Sequence, residues 1–292
     1  MVRRSTHAMT RPAAATFLAL LCLLTETPRA QPQAQEIKPV EARTPHGSRV
    51  WMYLPNPPPK DQRLACVLVP PAGSRLFHGM ALGDEDRAEQ IPYVKAGFAV
   101  VSFDISGPSA ASKDTKELRA AIRAFRDAEW GIRDAFEALA VAQARYPQID
   151  RNRVYVAGHS SAGTLALQIA SSTNRVSACI AFAPICDIEK RLGPDFLATL
   201  EQWVPGVALG LRKASPTNRA ANLNCPVFLF HSSDDDNVSP DDVISFKNTL
   251  LRRRAPVEYV QVNSGGHYHS MLEQGIPRAI KWLTRIDQES KK

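Results

Sequence analysis

Val154 to Gly163 reads VYVAGHSSAG, a short apolar strand-like run that passes directly into small and polar side chains. Two structures fit it. One is an ordinary strand-to-helix turn, since Gly and Ser are common turn and helix-start residues. The other is a nucleophile elbow, a strained turn that holds a serine hydroxyl exposed above a sheet. The segment alone does not choose between them.

Outward from it, short apolar runs alternate with helical patterns. Arg49 to Pro55, Ala65 to Pro71, Gly97 to Asp104, Val176 to Pro184, Pro226 to Ser232 and Val257 to Asn263 all read as strands. Their apolarity is continuous rather than alternating, as expected of strands covered on both faces. Between them, Leu118, Ile122, Phe125, Ile132, Phe136 and Leu139 fall mostly three, four or seven apart. That spacing lays one stripe against a sheet, with a kink expected at Gly131. Ser239 to Arg253 opens with an N-cap serine, a proline at the first helical position and two aspartates. The alternation predicts an α/β fold with a mostly parallel central sheet flanked by helices. It also predicts one domain over 31–292, with residues 31 to about 45 a loose leader. Residues 187–224 exceed what one crossover helix needs and predict a small cap over the C-terminal sheet edge, where open α/β sheets bind ligands.

The chain has 292 residues, 44% hydrophobic and 22% charged, enough for one substantial core. Its first 30 residues differ from the rest. Arg3, Arg4 and Arg11 precede an apolar run from Ala13 to Leu24, and Ala30 is a small residue after a polar stretch. This is the layout of a signal peptide, 1–30, for export to a secreted or periplasmic location. The run is too short for a membrane span, which takes roughly 20 residues. Four arginines against Glu26 lie in this segment, so its removal lowers the formal charge from +7 to about +4. With no long basic run, nucleic-acid binding is not expected. Cys66, Cys179, Cys186 and Cys225 remain; three lie in or beside strand-like runs, so buried free thiols are expected, with a Cys179–Cys186 bridge as the alternative. No Cys/His spacing suits a metal, and no cofactor is expected.

If Ser160 is a nucleophile, it needs a base, and the base needs an acid to fix its tautomer. Both are present at later strand ends: HSSDDDNVSP from His231 and NSGGHYHSM from Asn263. The order serine, acid, histidine is that of the elbow-bearing hydrolases.

These segments resemble the α/β-hydrolase superfamily, in particular its dienelactone-hydrolase and prolyl-oligopeptidase-like branch, from about Ala65 to the C-terminus. HSSDDDNV is similar to that branch's His-Gly-x-x-Asp-Asp-x-Val loop. The resemblance implies a Ser160, Asp235, His267 triad and an acyl-enzyme. His269 competes with His267, and Ser161 with Ser160. Asp234 and Asp236 read as a solvated turn, and His159 and His231 as structural. The elbow departs from Gly-x-Ser-x-Gly at Ala162, and Ser232 replaces a glycine. The oxyanion hole is expected from the amides of Ser161 and Gly73, the latter in PPAGSRLFHGM. His78 and Trp203 are candidate substrate contacts, with Leu197, Leu200 and Val204 beside Trp203. The resemblance implies a small-molecule ester or peptide as substrate. Esters are preferred here, because only about 35 residues lie between Ala30 and the strand at Ala65, fewer than one propeller blade. Oligomeric state is not readable.

Overall fold

A computed structural model of the chain describes residues 37–56, 63–109 and 115–291. The signal-peptide segment 1–30 lies outside them. Among the described residues, the chain builds one sheet of eight strands: β1 (Val40–Arg43), β2 (Arg49–Tyr53), β3 (Leu64–Leu68), β4 (Ala99–Phe103), β5 (Ile149–His159), β6 (Ala178–Phe182), β7 (Val227–Ser232) and β8 (Val257–Val262). Their order is β1-β2-β4-β3-β5-β6-β7-β8. The first three in that order pair antiparallel; every later pair is parallel.

The expected strands form, most of them shortened at their ends, whereas the one expected from Val154 begins five residues earlier, at Ile149. One strand was not expected. Val40–Arg43, in the stretch read as a loose leader, pairs with β2. It is four residues long and mostly exposed, so it carries no apolar pattern to read.

β3, β4, β6 and β7 are buried at every position. Their side chains alternate between two cores, one on each face. Val67, Val100, Tyr155, Ile180 and Phe228 point into the core with Trp282 and Leu283; Cys66, Leu68, Val101, Val156 and Leu229 point into the other. The flanking helices are α1 (Arg87–Lys95), α2 (Thr115–Asp127), α3 (Ile132–Arg145), α4 (Ser161–Ala170), α5 (Ile188–Leu192), α6 (Pro194–Trp203), α7 (Val207–Ala214), α8 (Pro216–Arg219), α9 (Pro240–Arg252) and α10 (Ile276–Glu289). The expected kink at Gly131 is a full break. Glu129, Trp130 and Gly131 all take positive φ, and the chain restarts as α3. Helices α5 to α8 occupy the predicted cap segment.

The four described cysteines are free and buried, and no Cys179–Cys186 bridge forms. Burial pushes the Cys66 thiol up to about 12. Among the described residues, no helix is long and apolar enough to cross a membrane.

The chain runs from β3 outward to β4 and then returns to β5 on the other side of β3. The point where the direction reverses lies between β3 and β5, and the crevice beyond their C-terminal ends is where such sheets place a ligand. Pro70 to Gly73 leave one strand there and Ser160 leaves the other.

Candidate active site

The turn at Ser160 is an elbow. Ser160 has φ 55 and ψ −121, between the end of β5 and the start of α4. A non-glycine residue in that region is strained and persists only where its surroundings impose it. Here the Ser160 amide donates to the Phe182 carbonyl at 2.8 Å, and the Ser160 carbonyl accepts the Thr164 amide at 3.0 Å. The glycine demand explains the departure at Ala162. A Cβ on Gly158 would lie 2.3 Å from the Ala162 carbonyl oxygen, and one on Gly163 would lie 3.0 Å from that of Gly158. Position 162 itself holds a fully buried alanine.

Asp235 follows β7. Its Oδ1 accepts the amides of Asn237 and Val238, both at 2.9 Å. Its Oδ2 lies 2.7 Å from His267 Nδ1 and 3.1 Å from His231 Nε2. Burial alone would raise this carboxyl's pKa. The donors from His231, His267, Val238 and Asn237 outweigh burial and hold it well below the usual carboxylate range. His231 is fully buried, and its Nε2 also lies 2.9 Å from the Val238 carbonyl. Both neighbours of Nε2 are acceptors, so the proton sits there. His231, read as structural, therefore donates directly to the acid.

On His267 the same logic places a proton on Nδ1, facing Asp235. Nε2 then presents a lone pair, and it is buried with no hydrogen-bond partner among the described residues. His159 Nε2, one residue before the elbow, lies 2.9 Å from the His267 carbonyl, and the two rings are 4.5 Å apart. The elbow and the histidine loop thus meet directly. An imidazole so oriented can take a proton from a hydroxyl. His269, the competitor, is exposed and lies edge-on to Tyr268.

The Asp234 carboxylate has a role the sequence reading missed. It is the exposed turn residue expected, and it also accepts the Gly266 amide at 2.8 Å, the Gly265 amide at 3.1 Å and the Ser232 hydroxyl. The Ser232 and Gly266 donors hold its pKa low. Gly265 and Gly266 take φ 117 and 60, values that favour glycine. Ser270 has helical backbone angles and donates to the Gly266 carbonyl at 2.6 Å.

The loop after β3 comes over the start of α4. Gly73, expected to present a free amide, donates it to Ser161 Oγ at 3.0 Å. His78 is buried, with Nδ1 2.7 Å from the Gly79 carbonyl, and burial lowers its pKa. Trp203 ends α6, with the Arg119 guanidinium 5.7 Å from its ring centre. No described contact joins His78 or Trp203 to Ser160, Asp235 or His267. Leu197, Leu200 and Val204 are no substrate wall, because their side chains are buried in the core beneath the cap. The cap side chain that reaches the loop is Phe196, whose ring meets Phe77 at 5.1 Å.

Residues 86–286 match the profile of the prolyl oligopeptidase family. No curated protein matches the sequence. Among solved structures, an acylaminoacyl peptidase of Pyrococcus horikoshii is similar at 18% identity with a TM-score of 0.66, over 86% of this chain and 41% of that one. A puromycin-hydrolyzing peptidase of Mycobacterium tuberculosis is similar at 20% identity with a TM-score of 0.66, over 91% of this chain and 41% of that one. The structure of 2,6-dihydroxy-pseudo-oxynicotine hydrolase gives 19% identity and a TM-score of 0.59, over 86% and 68%. This chain thus spans about two fifths of the length of the two peptidases. At these identities the likeness carries the α/β-hydrolase fold, and the profile carries the family. Matched over well more than half its length, the chain belongs to the prolyl oligopeptidase family and has the α/β-hydrolase fold.

Proposed function

We propose that this protein is a serine hydrolase that cleaves carboxylic esters of compact acyl groups, with Ser160 as nucleophile, His267 as general base and acid, and Asp235 as the group that orients His267. The observation that carries the reading is the 2.7 Å contact between Asp235 and His267 Nδ1, with the opposite ring nitrogen unpartnered and the His267 carbonyl 2.9 Å from His159 Nε2, one residue before Ser160. Ser160 Oγ adds to the acyl carbon as His267 Nε2 takes its proton. The Ser161 amide, at the start of α4, binds the oxygen that becomes negative. His267 then protonates the departing alcohol, and water repeats the sequence on the acyl-enzyme. Asp235 stays ionised and stabilises the imidazolium. The short run of helices over 187–224, in place of a large covering domain among the described residues, supports a compact substrate.

A second reading, hydrolysis of short peptides or aminoacyl amides, is favoured by the family profile and by the peptidases among the similar structures. Amide cleavage leans more heavily on contacts that position the substrate. The comparison is kcat/KM on p-nitrophenyl butyrate against dipeptidyl and prolyl p-nitroanilides. A preference for the anilides overturns the esterase reading and leaves the serine mechanism standing. Ser160→Ala is expected to abolish fluorophosphonate labelling and to lower turnover on the order of 10⁴- to 10⁶-fold. Export is proposed on the basic and apolar start of the chain; an N-terminus at Gln31 on secreted or periplasmic protein is the expected result.

A further inference from the structure

The Gly73–Ser161 hydrogen bond links two loops that are far apart in sequence at the mouth of the crevice. Ser161 is 6% exposed, and its hydroxyl oxygen accepts the Gly73 amide at 3.0 Å. A serine hydroxyl also has one hydrogen to donate, and among the described residues nothing accepts that of Ser161. A buried donor without an acceptor is unfavourable, because it has given up its hydrogen bond to water. The Ser161 amide belongs to the first turn of α4, where amides have no intrahelical acceptor. One residue therefore presents two unmatched donors, its N–H and its O–H, immediately after the strained Ser160. Meanwhile the Gly73 amide is held 3.0 Å from the hydroxyl oxygen, so it cannot also serve a substrate in this arrangement.

We propose that the Ser161 hydroxyl is a catalytic oxyanion donor: Gly73 N–H donates to Oγ, and Oγ–H donates to the substrate's carbonyl oxygen alongside the Ser161 amide. The relay strengthens as charge develops, because hydrogen bonds in a chain polarise one another. The negative oxygen formed when Ser160 attacks supplies the acceptor that the resting site lacks. This inference rests on Ser160 being the nucleophile.

The two roles Ser161 could play give opposite results. If its hydroxyl only anchors the loop, Ser161→Ala frees the Gly73 amide to serve the oxyanion, and kcat changes little. If it is a donor, Ser161→Ala lowers kcat on p-nitrophenyl butyrate by about 10²- to 10³-fold, the loss typical of one oxyanion donor, with KM near its original value. Ser161→Cys keeps the side chain's size with a much weaker donor, and it should fall similarly. Both should also lose affinity for 1-butaneboronic acid, whose tetrahedral adduct carries the oxygen concerned. Wild-type kcat in either folded variant, or unchanged boronate affinity, overturns the proposal. Peptide mapping of the fluorophosphonate adduct separates the two layers. An adduct on Ser160 in every variant leaves the nucleophile reading intact whatever Ser161 does, and an adduct on Ser161 defeats both.

Discussion

Two adjacent aspartates divide the work of holding one histidine. Asp235 receives the imidazole, whereas Asp234 receives the two backbone amides that precede it. The first fixes the tautomer; the second fixes where the loop sits. Asp235→Asn should therefore lower kcat by about 10⁴-fold, since an amide can hold the wrong tautomer. Asp234→Ala leaves the tautomer alone and loosens the loop. A displacement of about 1 Å can cost roughly 10²-fold, so a fall of 10- to 100-fold is expected, with the fold retained by circular dichroism. Asp234→Asn, which keeps one carbonyl acceptor, should recover part of the loss; equal losses in both variants would remove the positioning role. An acid after β7 was legible from chain order and strand ends, and the resemblance of HSSDDDNV to the family's loop picked Asp235 from three adjacent aspartates. The role of Asp234 was not legible, since its partners lie 31 and 32 residues away at glycine amides. A backbone donor leaves no mark on residue type. The same holds for Gly73, where the turn was readable but the use of its amide was not.

Helices and strands were legible wherever burial is continuous, and less so where backbone conformation decides. The helical stripe from Leu118 to Leu139 was visible, yet nothing in its spacing shows three consecutive positive φ values at Glu129, Trp130 and Gly131. That break aims the Trp130 ring at the cap. A Cβ on Gly210, in α7, would lie 2.2 Å from Trp130 Cζ2. The cap thus closes on an aromatic ring through a position that has no room for a methyl group. Its leucines, predicted to face substrate, face inward because α6 and α7 need a buried stripe of their own. Gly210→Val should overpack this contact and lower stability by about 1–3 kcal/mol, read as a lower denaturant midpoint at constant slope. Because the cap carries Phe196 to Phe77, KM for the ester should rise as well. An unchanged midpoint would mean that the cap is free to move off Trp130.

Across the whole fold, buried carboxylates pull stability in opposite directions with pH. Asp287 on α10 accepts Arg153 Nη2 at 2.7 Å and the Tyr155 hydroxyl at 2.9 Å, tying the last helix to β5. Burial opposes its ionisation, but Arg153, Lys291 and Tyr155 hold its pKa below the ordinary value. Asp235 behaves likewise. Both contribute stability above an unfolded pKa near 4, and both lose it as pH falls toward their folded values. Asp86, just before α1, is the reverse. It is 8% exposed, accepts the Gly83 amide at 2.8 Å, and has Glu89 and Glu85 nearby. Burial raises its pKa from 3.8 to about 6, and the amides of Gly83 and Ala72 only partly offset that. A raised folded pKa means that the folded chain binds this proton more tightly than the unfolded one. Its contribution is full below about pH 4 and disappears as pH climbs through about 6. Above that, the protein carries a buried charge facing other acids. Asp86→Asn keeps a carbonyl for Gly83 and removes the charge. Its Tm should exceed that of the original protein at pH 8 and converge with it, or fall below it, at pH 4.5. An equal Tm difference at both pH values would show that Asp86 does not titrate between them and that its burial carries no charge penalty.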